Sequence, residues 1–150
     1  MVNVHASGGP AMMRAAREAL GETATKVPLL IAVTVLTSMD EAELAAVGVS
    51  NPIDQQVSHL TGIVNECGLD GVVCSAHEAS AIKTRFSKLV TVTPGIRMSE
   101  DSGDDQRRVM TPERAMQSGS NYLVIGRSVT GAKDPVEQLR TIQQTISAVS

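Results

Sequence analysis

The chain has almost no aromatic residues. Of its 150 residues only Phe86 and Tyr122 are aromatic. Proteins that bind single-stranded nucleic acid without sequence preference stack the bases on aromatic side chains, so this class is excluded. Acidic residues outnumber basic ones by 16 to 13, and the basic residues are scattered along the sequence. We therefore expect no broad cationic face for nucleic acid or for a membrane surface, and any bound anion should be small.

Cysteines are scarce, and no long apolar run occurs. Cys67 ends a predicted helix and Cys74 ends a predicted strand, so a disulfide-stapled scaffold is not expected. A metal site that combines them with His5 and His77 lacks any recognised ligand spacing, and we expect none. No run approaches the roughly 20 apolar residues of a membrane-spanning helix, and the N-terminus has no basic segment or signal cleavage site. We expect a cytoplasmic protein with no membrane partner.

Apolar runs alternate with helical periodicities along the whole sequence. The predicted strands are uniformly apolar, which is typical of a parallel sheet flanked by helices and buried on both faces. With 42% hydrophobic residues and no low-complexity linker, residues 1–150 should form a single α/β domain. The predicted strands are 2–5, 29–36, 71–74, 89–92 and 122–125, and the predicted helices are 11–20, 52–67, 77–86, 111–118 and 134–149.

Three segments bring glycine, glutamine or arginine to the region beyond the predicted strand ends. They are T-P-G-I-R at 93–97, D-Q-R-R at 105–108 and I-G-R-S-V-T at 125–130. The carboxyl ends of parallel strands meet at one edge, where barrel proteins bind their ligands. Arginine binds two phosphate oxygens at once, and a backbone N–H beside a glycine can face an anion. The three segments predict a phosphate site, and the polar segment 98–108 suits a mobile loop over it.

Five motifs taken together make the chain similar to the bacterial orotidine 5′-phosphate decarboxylases. The resemblance spans essentially all 150 residues and corresponds to the last five βα units of that family. It implies a TIM (β/α)8 barrel with parallel strands, truncated to about its last five units, since five strands cannot close an eight-stranded barrel. The motifs lie at residues 2–9, 30–38, 67–75, 93–97 and 125–127.

The resemblance also implies a function. It indicates a lyase that removes the C6 carboxylate of orotidine 5′-phosphate and gives uridine 5′-phosphate in pyrimidine biosynthesis, with no cofactor and no metal. In the family, a lysine after the second strand and an Asp-x-Lys-x-x-Asp motif after the third act on the substrate. No such motif occurs in these 150 residues, so no catalytic residue is assigned to this chain. The sequence predicts the phosphate- and pyrimidine-binding half of the enzyme.

The phosphate contacts implied by the resemblance lie in the three segments already described. Arg127 and Arg97 match phosphate-binding arginines, and Gly126 offers a backbone N–H beside the anion. Gln106 matches the glutamine that closes over the ligand and can bond to both phosphate and pyrimidine. Without the family, each of these side chains could equally be a solvated surface residue.

The pyrimidine contacts implied by the resemblance are fewer. Thr37 matches the residue whose hydroxyl bonds to the amide edge of the base, and Pro94 lines the base pocket. Thr34 and Ser38 remain alternatives to Thr37, because a register error of one residue is possible at a strand end.

Strand alternation points His5 into the barrel, where we expect a core histidine rather than a catalytic one.

Two other functions stay open. The first is a non-catalytic partial barrel that binds uridine 5′-phosphate or a related nucleotide. The second is another phosphate-binding barrel enzyme, such as a relative of the pentulose-phosphate epimerases, but those need metal-ligating histidines and acids that this chain does not pair. The decarboxylase family forms homodimers, and a truncated chain with open sheet edges is expected to self-associate or aggregate.

Overall fold

A computed structural model of the chain describes residues 1–21, 27–98 and 108–149. Five parallel strands form one sheet, and each strand is followed in the sequence by at least one helix. None of the helices in these ranges is long and apolar enough to cross a membrane. The strands are β1 (Val2–His5), β2 (Leu30–Val33), β3 (Gly71–Val73), β4 (Val90–Thr93) and β5 (Tyr122–Leu123), and the helices are α1 (Gly9–Leu20), α2 (Glu41–Ala46), α3 (Ile53–Glu66), α4 (Ala76–Arg85), α5 (Pro112–Gln117), α6 (Arg127–Thr130) and α7 (Pro135–Ser147).

The order of the strands in the sheet is the order of the chain, β1-β2-β3-β4-β5. Crossovers between parallel strands are right-handed, so a chain that always steps in the same direction places every crossover helix on the same face. Doubly wound sheets reverse direction and carry helices on both faces, whereas barrel walls carry them on the outside only. The sheet therefore has the topology of five consecutive units of a (β/α) barrel, and the predicted fold class is confirmed.

The two faces of the sheet are buried to different extents. Leu30, Ala32 and Val72 point toward the helices and pack in the main core with residues of α1 and α3. On the opposite face the inner strand β2 is still buried, but Tyr122 of the edge strand β5 is 50% exposed. His5 on β1 is exposed as well, so the prediction that it is a core histidine is wrong. Burial on both faces holds for β2 and fails for the edge strands, because no described residue covers them there.

The helix starts show which sequence signals were decisive. Asp134 caps α7 by accepting hydrogen bonds from the Val136 and Glu137 N–H groups, and Pro135 occupies the first position of that helix. Thr111 makes no side-chain cap, although α5 begins directly after it at a proline. The helix α2 was not predicted, yet the pair Asp40 and Glu43 forms a reciprocal capping box at its start.

An ion pair at the amino ends of the strands fastens the sheet to its first helix. Asp70, just before β3, accepts hydrogen bonds from the Arg17 guanidinium and the Leu30 N–H, both at 2.6 Å. Its own backbone N–H donates to the Leu30 carbonyl at 2.8 Å, and its carbonyl accepts from the Val90 N–H at 2.9 Å. One residue thus connects β2, β4 and α1 on the side of the sheet away from the predicted site.

A glycine at the start of β3 allows the close approach of β4. A Cβ atom added at Gly71 would lie 2.3 Å from the Val90 carbonyl oxygen, a backbone atom that cannot move without opening the ladder. We predict that Gly71→Ala lowers the free energy of unfolding by about 1–3 kcal/mol, the usual cost of overpacking. Urea denaturation followed by circular dichroism measures this change.

A second glycine provides the matched control for that substitution. Gly62 lies inside α3, and a Cβ added there would meet only the Phe86 Cζ atom, at 4.0 Å. Gly62→Ala should raise the free energy of unfolding by about 0.5–1 kcal/mol, because alanine has the better helix propensity. Equal denaturation midpoints for the two variants would contradict the packing described for β3 and β4.

Candidate functional site

The carboxyl ends of the strands gather the predicted site residues along one edge of the sheet. In the register of β4 and β5, Thr93 pairs with Leu123, and the Val124 N–H donates to the Thr93 carbonyl at 2.9 Å. Arg97 and Arg127 each lie four residues beyond that pair. The two arginine-bearing segments therefore leave neighbouring strands at the same height. We call the loops that follow the carboxyl ends of β2, β3, β4 and β5 the rim.

The segment after β4 is held rigidly by its backbone. Gly95 has φ of 75°, a conformation that favours glycine, and the next side chain, Ile96, is fully buried. The Arg97 N–H donates to the Met110 carbonyl, and the Met110 N–H donates to the Gly95 carbonyl, both at 3.1 Å. The half-buried Arg97 also donates from Nη1 to the Ile96 carbonyl at 3.0 Å. Half-buried Pro94 precedes this turn, so both predicted residues are fixed at the rim.

The segment after β5 is more open. The Gly126 carbonyl accepts hydrogen bonds from the N–H groups of Val129 and Thr130, at 2.9 and 3.1 Å, and these bonds form the turn of the short helix α6. Arg127, the first residue of α6, is exposed. A Cβ atom at Gly126 would meet no other atom within 4 Å, so the space beside its backbone could admit a ligand. Of the predicted phosphate residues only Gln106 lies outside the described part of the chain.

Three hydroxyl residues follow β2, and the structure distinguishes their surroundings. The Thr34 hydroxyl and N–H both donate to the Val73 carbonyl, at 2.8 and 3.1 Å, so this hydroxyl proton is used within the sheet. Thr37 is 6% exposed, and Ser38 beside it is half-buried. All three residues thus lie at the β2 exit, where the sequence placed them, and the Thr34 side chain contacts β3.

A buried ion pair at the rim was not predicted from the sequence. The Arg108 guanidinium pairs with the Glu78 carboxylate of α4, and Nη2 of Arg108 donates to the Leu36 carbonyl at 3.0 Å. Glu78 also accepts the Ser75 N–H at 2.6 Å, and Ser75 caps α4 in return. The signal S-x-x-E at 75–78 could have located this capping box and the true start of α4, one residue before the predicted one.

Burial governs the ionisation of two groups beneath the rim. Burial raises the pKa of the Glu78 carboxyl, while the adjacent Arg108 guanidinium and the Ser75 N–H act in the opposite direction. Burial, with a smaller contribution from Glu78, raises the pKa of the Cys74 thiol far above its ordinary range. A protonated, buried thiol is a poor nucleophile, so Cys74 is not a candidate catalytic residue.

Other features of the described residues do not fit a phosphate ligand. No group of three or more histidine, cysteine, aspartate or glutamate side chains within these ranges is arranged to hold a metal ion. A cavity of about 510 Å³ lies between β5, α5 and α7, and its lining includes Tyr122, Leu139 and Ile146 but no charged residue. An anion would gain nothing there, so we place the candidate site at the rim.

Comparison with known proteins identifies the family of the chain. The model of the orotidine 5′-phosphate decarboxylase / HUMPS family matches residues 1–142. An orotidine 5′-phosphate decarboxylase of Chromobacterium violaceum is 56% identical over 98% of this chain, and one of Legionella pneumophila is 55% identical over 91%. The chain spans about 60% of the length of each of these two relatives.

A solved structure gives the same result in three dimensions. The crystal structure of orotidine 5′-phosphate decarboxylase from Lactobacillus acidophilus is 34% identical and superimposes with a TM-score of 0.79. The alignment covers 96% of this chain and 62% of that one. Because the family model matches nearly the whole sequence, the chain belongs to the orotidine 5′-phosphate decarboxylase / HUMPS family.

Proposed function

We propose that the rim binds the phosphate and the pyrimidine of orotidine 5′-phosphate, in a protein that converts this nucleotide to uridine 5′-phosphate and CO2. The family match supports this assignment, and the observation that carries it is the position of Arg97 and Arg127. They follow neighbouring strands that are in register, each four residues beyond the pair of Thr93 and Leu123. Two cations at the same height can bind one dianion from two sides.

In this proposal the phosphate is bound by Arg97, whose backbone is fixed, and by Arg127, which is exposed. The backbone of Arg97 is fixed by its bonds with Met110, so its guanidinium presents a defined position to the anion. Arg127 is exposed beside the open space at Gly126, whose backbone N–H completes the contacts. Gln106 is assigned to the same end of the ligand from the family resemblance. A guanidinium can bind two phosphate oxygens in a bidentate manner, which fixes orientation as well as charge.

The pyrimidine lies, in this proposal, toward the exits of β2 and β4. Thr37 supplies a hydroxyl for the amide edge of the base, and Pro94 provides an apolar wall. The catalytic lysine and aspartates implied by the resemblance are not among these 150 residues. We therefore assign to this chain the binding of substrate and not the proton transfer, with no metal and no cofactor. Residues 1–150 would form a portion of one barrel domain.

Binding at the phosphate also serves catalysis in the whole protein. The phosphate lies far from the C6 carboxylate of the substrate, so contacts with it do not take part in breaking the carbon–carbon bond. Binding energy from such a remote group can still hold the ring aligned and stabilise the transition state. A non-catalytic partial barrel remains the second candidate, because the Asp-x-Lys-x-x-Asp motif is absent from the sequence.

Calorimetry with uridine 5′-phosphate tests the proposed phosphate contacts. Arg127→Ala and Arg97→Ala should each weaken binding by about 10- to 150-fold, because a hydrogen bond to a charged group contributes about 1.5–3 kcal/mol. Uridine, which has no phosphate, should bind to the unmodified chain at least as weakly as uridine 5′-phosphate binds to these variants.

Arg140→Ala is the matched control for those two substitutions. Arg140 is also an arginine, but it lies on α7, pairs with Glu137 at 3.5 Å and has 67% of its side chain exposed. Its loss removes the same charge from the protein without touching the rim, so the affinity for uridine 5′-phosphate should not change. Equal losses of affinity in all three variants would indicate a nonspecific effect of net charge and would refute the assignment.

Turnover distinguishes the enzyme from the non-catalytic module. We expect the 150-residue chain alone to bind uridine 5′-phosphate without consuming orotidine 5′-phosphate, as followed by the absorbance of the pyrimidine. In a longer protein that carries these residues together with the Asp-x-Lys-x-x-Asp motif, Arg127→Ala should lower kcat/KM by several powers of ten. A decrease of less than about threefold would show that Arg127 is not a phosphate ligand, since even one charged hydrogen bond is worth more.

Self-association is the expected state of the isolated chain. Val2 on β1 is 44% exposed, and Tyr122 and Val124 at the other edge are 50% and 49% exposed. Unpaired strand edges and exposed apolar side chains favour association with further copies. Multi-angle light scattering should therefore detect dimers or larger species, and a monodisperse monomer would contradict this expectation. We also propose a cytoplasmic location, in keeping with the metabolic role of the family.

A further inference from the structure

Three consecutive residues connect the exits of three strands. Arg108, Val109 and Met110, which we call the clasp, lie at the rim and bond to segments that follow β2, β3 and β4. Arg108 reaches the Leu36 carbonyl after β2, and the Val109 carbonyl accepts a hydrogen bond from His77 Nε2 of α4 at 3.2 Å. Met110 exchanges backbone hydrogen bonds with Gly95 and Arg97 after β4. These bonds make the relative position of the three exits depend on the clasp.

Arg108 provides the buried ion pair of the clasp. Its side chain is 15% exposed, and that of its partner Glu78 is 12% exposed. Removing two charges from water is expensive, and replacing such a pair by apolar residues of similar volume is often neutral or stabilising. Stability alone therefore does not account for a buried pair at this place. The bonds of Arg108 to the Leu36 and Val35 carbonyls, at 3.0 and 3.4 Å, show what the pair does fix.

Those two carbonyls stand immediately before Thr37, while the other end of the clasp bonds to the backbone of Arg97. The path from one proposed ligand contact to the other thus runs from Leu36 through the Arg108 guanidinium and along the clasp to Met110 and Arg97. Glu78 supports the path from below, because its second oxygen accepts the Ser75 N–H at the start of α4. Within the described residues this path joins the β2 exit to the β4 exit.

We propose that Arg108 is a positioning residue that sets the distance between the base-binding Thr37 and the phosphate-binding Arg97. This inference rests on the function proposed above. A nucleotide contacts both exits with its two ends, so its affinity depends on their separation. A ligand that carries only the phosphate end does not reach the β2 exit, so its affinity is insensitive to the distance between the β2 and β4 exits. Arg108 itself touches neither end of the ligand.

The test compares uridine 5′-phosphate with ribose 5-phosphate in the 150-residue chain, by calorimetry. In Arg108→Met the affinity for uridine 5′-phosphate should fall about tenfold or more, since small displacements of binding groups are costly. The affinity for ribose 5-phosphate should stay within about twofold, because the Arg97 backbone keeps its bonds with Met110. Arg108→Lys should fall between, since a lysine can pair with Glu78 but lacks the planar fork that reaches two partners.

A double variant separates positioning from folding. Arg108→Met combined with Glu78→Gln leaves no unpaired buried charge and keeps a side-chain oxygen for the Ser75 N–H, so it should fold with a melting temperature close to that of the unmodified chain. It should nevertheless show the same selective loss of uridine 5′-phosphate affinity as Arg108→Met. An affinity for uridine 5′-phosphate within twofold of the unmodified chain would overturn the positioning role. So would an equal loss for both ligands, which would indicate that Arg108 contacts the phosphate or supports the whole rim.

The unmodified chain serves as the reference for the proposed function itself. If it binds both ligands, the proposed function stands, and the variants decide the role of Arg108. If it binds neither ligand, the proposed function fails, and the positioning role fails with it. The two failures are therefore distinguishable in one set of titrations.

Discussion

Backbone hydrogen bonds between parallel strands fix the heights at which the strands of this sheet end at the rim. Main-chain bonds set the register of β4 against β5, and the Thr93 hydroxyl adds a bond to the Tyr122 carbonyl. The register extends past the strands through the bond from the Val124 N–H to the Thr93 carbonyl. The residues that directly follow those strands are therefore positioned by these bonds. A slip of one residue in a strand would turn each of its side chains to the other face, so burial of the helix-facing side protects the register. The core and the site are in this sense specified by the same interactions.

Charged side chains have different roles at the two ends of the strands. At the amino ends, Asp70 holds Arg17 and the Leu30 N–H, and this pair joins a helix to the sheet. At the carboxyl ends, one arginine is paired inside the protein with Glu78, whereas Arg127 is exposed at the opening beside Gly126. Arginines with similar sequence surroundings thus differ in role because their environments differ. Arg107 and Arg108 are adjacent in the sequence, and only the structure shows that Arg108 turns inward to a carboxylate.

Local sequence patterns were sufficient for the strands and for most helices. The five apolar runs became the five strands, which are largely buried in β2, β3 and β4 and more exposed in the edge strands β1 and β5. The order of elements then determined the topology. Patterns could not predict the exposure of His5, which depends on neighbours of an edge strand rather than on the strand itself. They also missed the link from Arg108 to Glu78, since its partners are 30 residues apart in the sequence. The family motifs located the rim residues, and the strand register shows why they belong to one edge.

The deep burial of Cys74 has a practical consequence. Cys74 directly follows β3 and precedes Ser75, the capping residue of α4, and it is fully shielded from solvent. A maleimide or a disulfide reagent can reach such an atom only when the residues that cover it open locally. In a Cys67→Ser variant, where Cys74 is the one remaining thiol, the rate of modification would therefore measure how often the carboxyl ends of the strands separate from the helices that cover them.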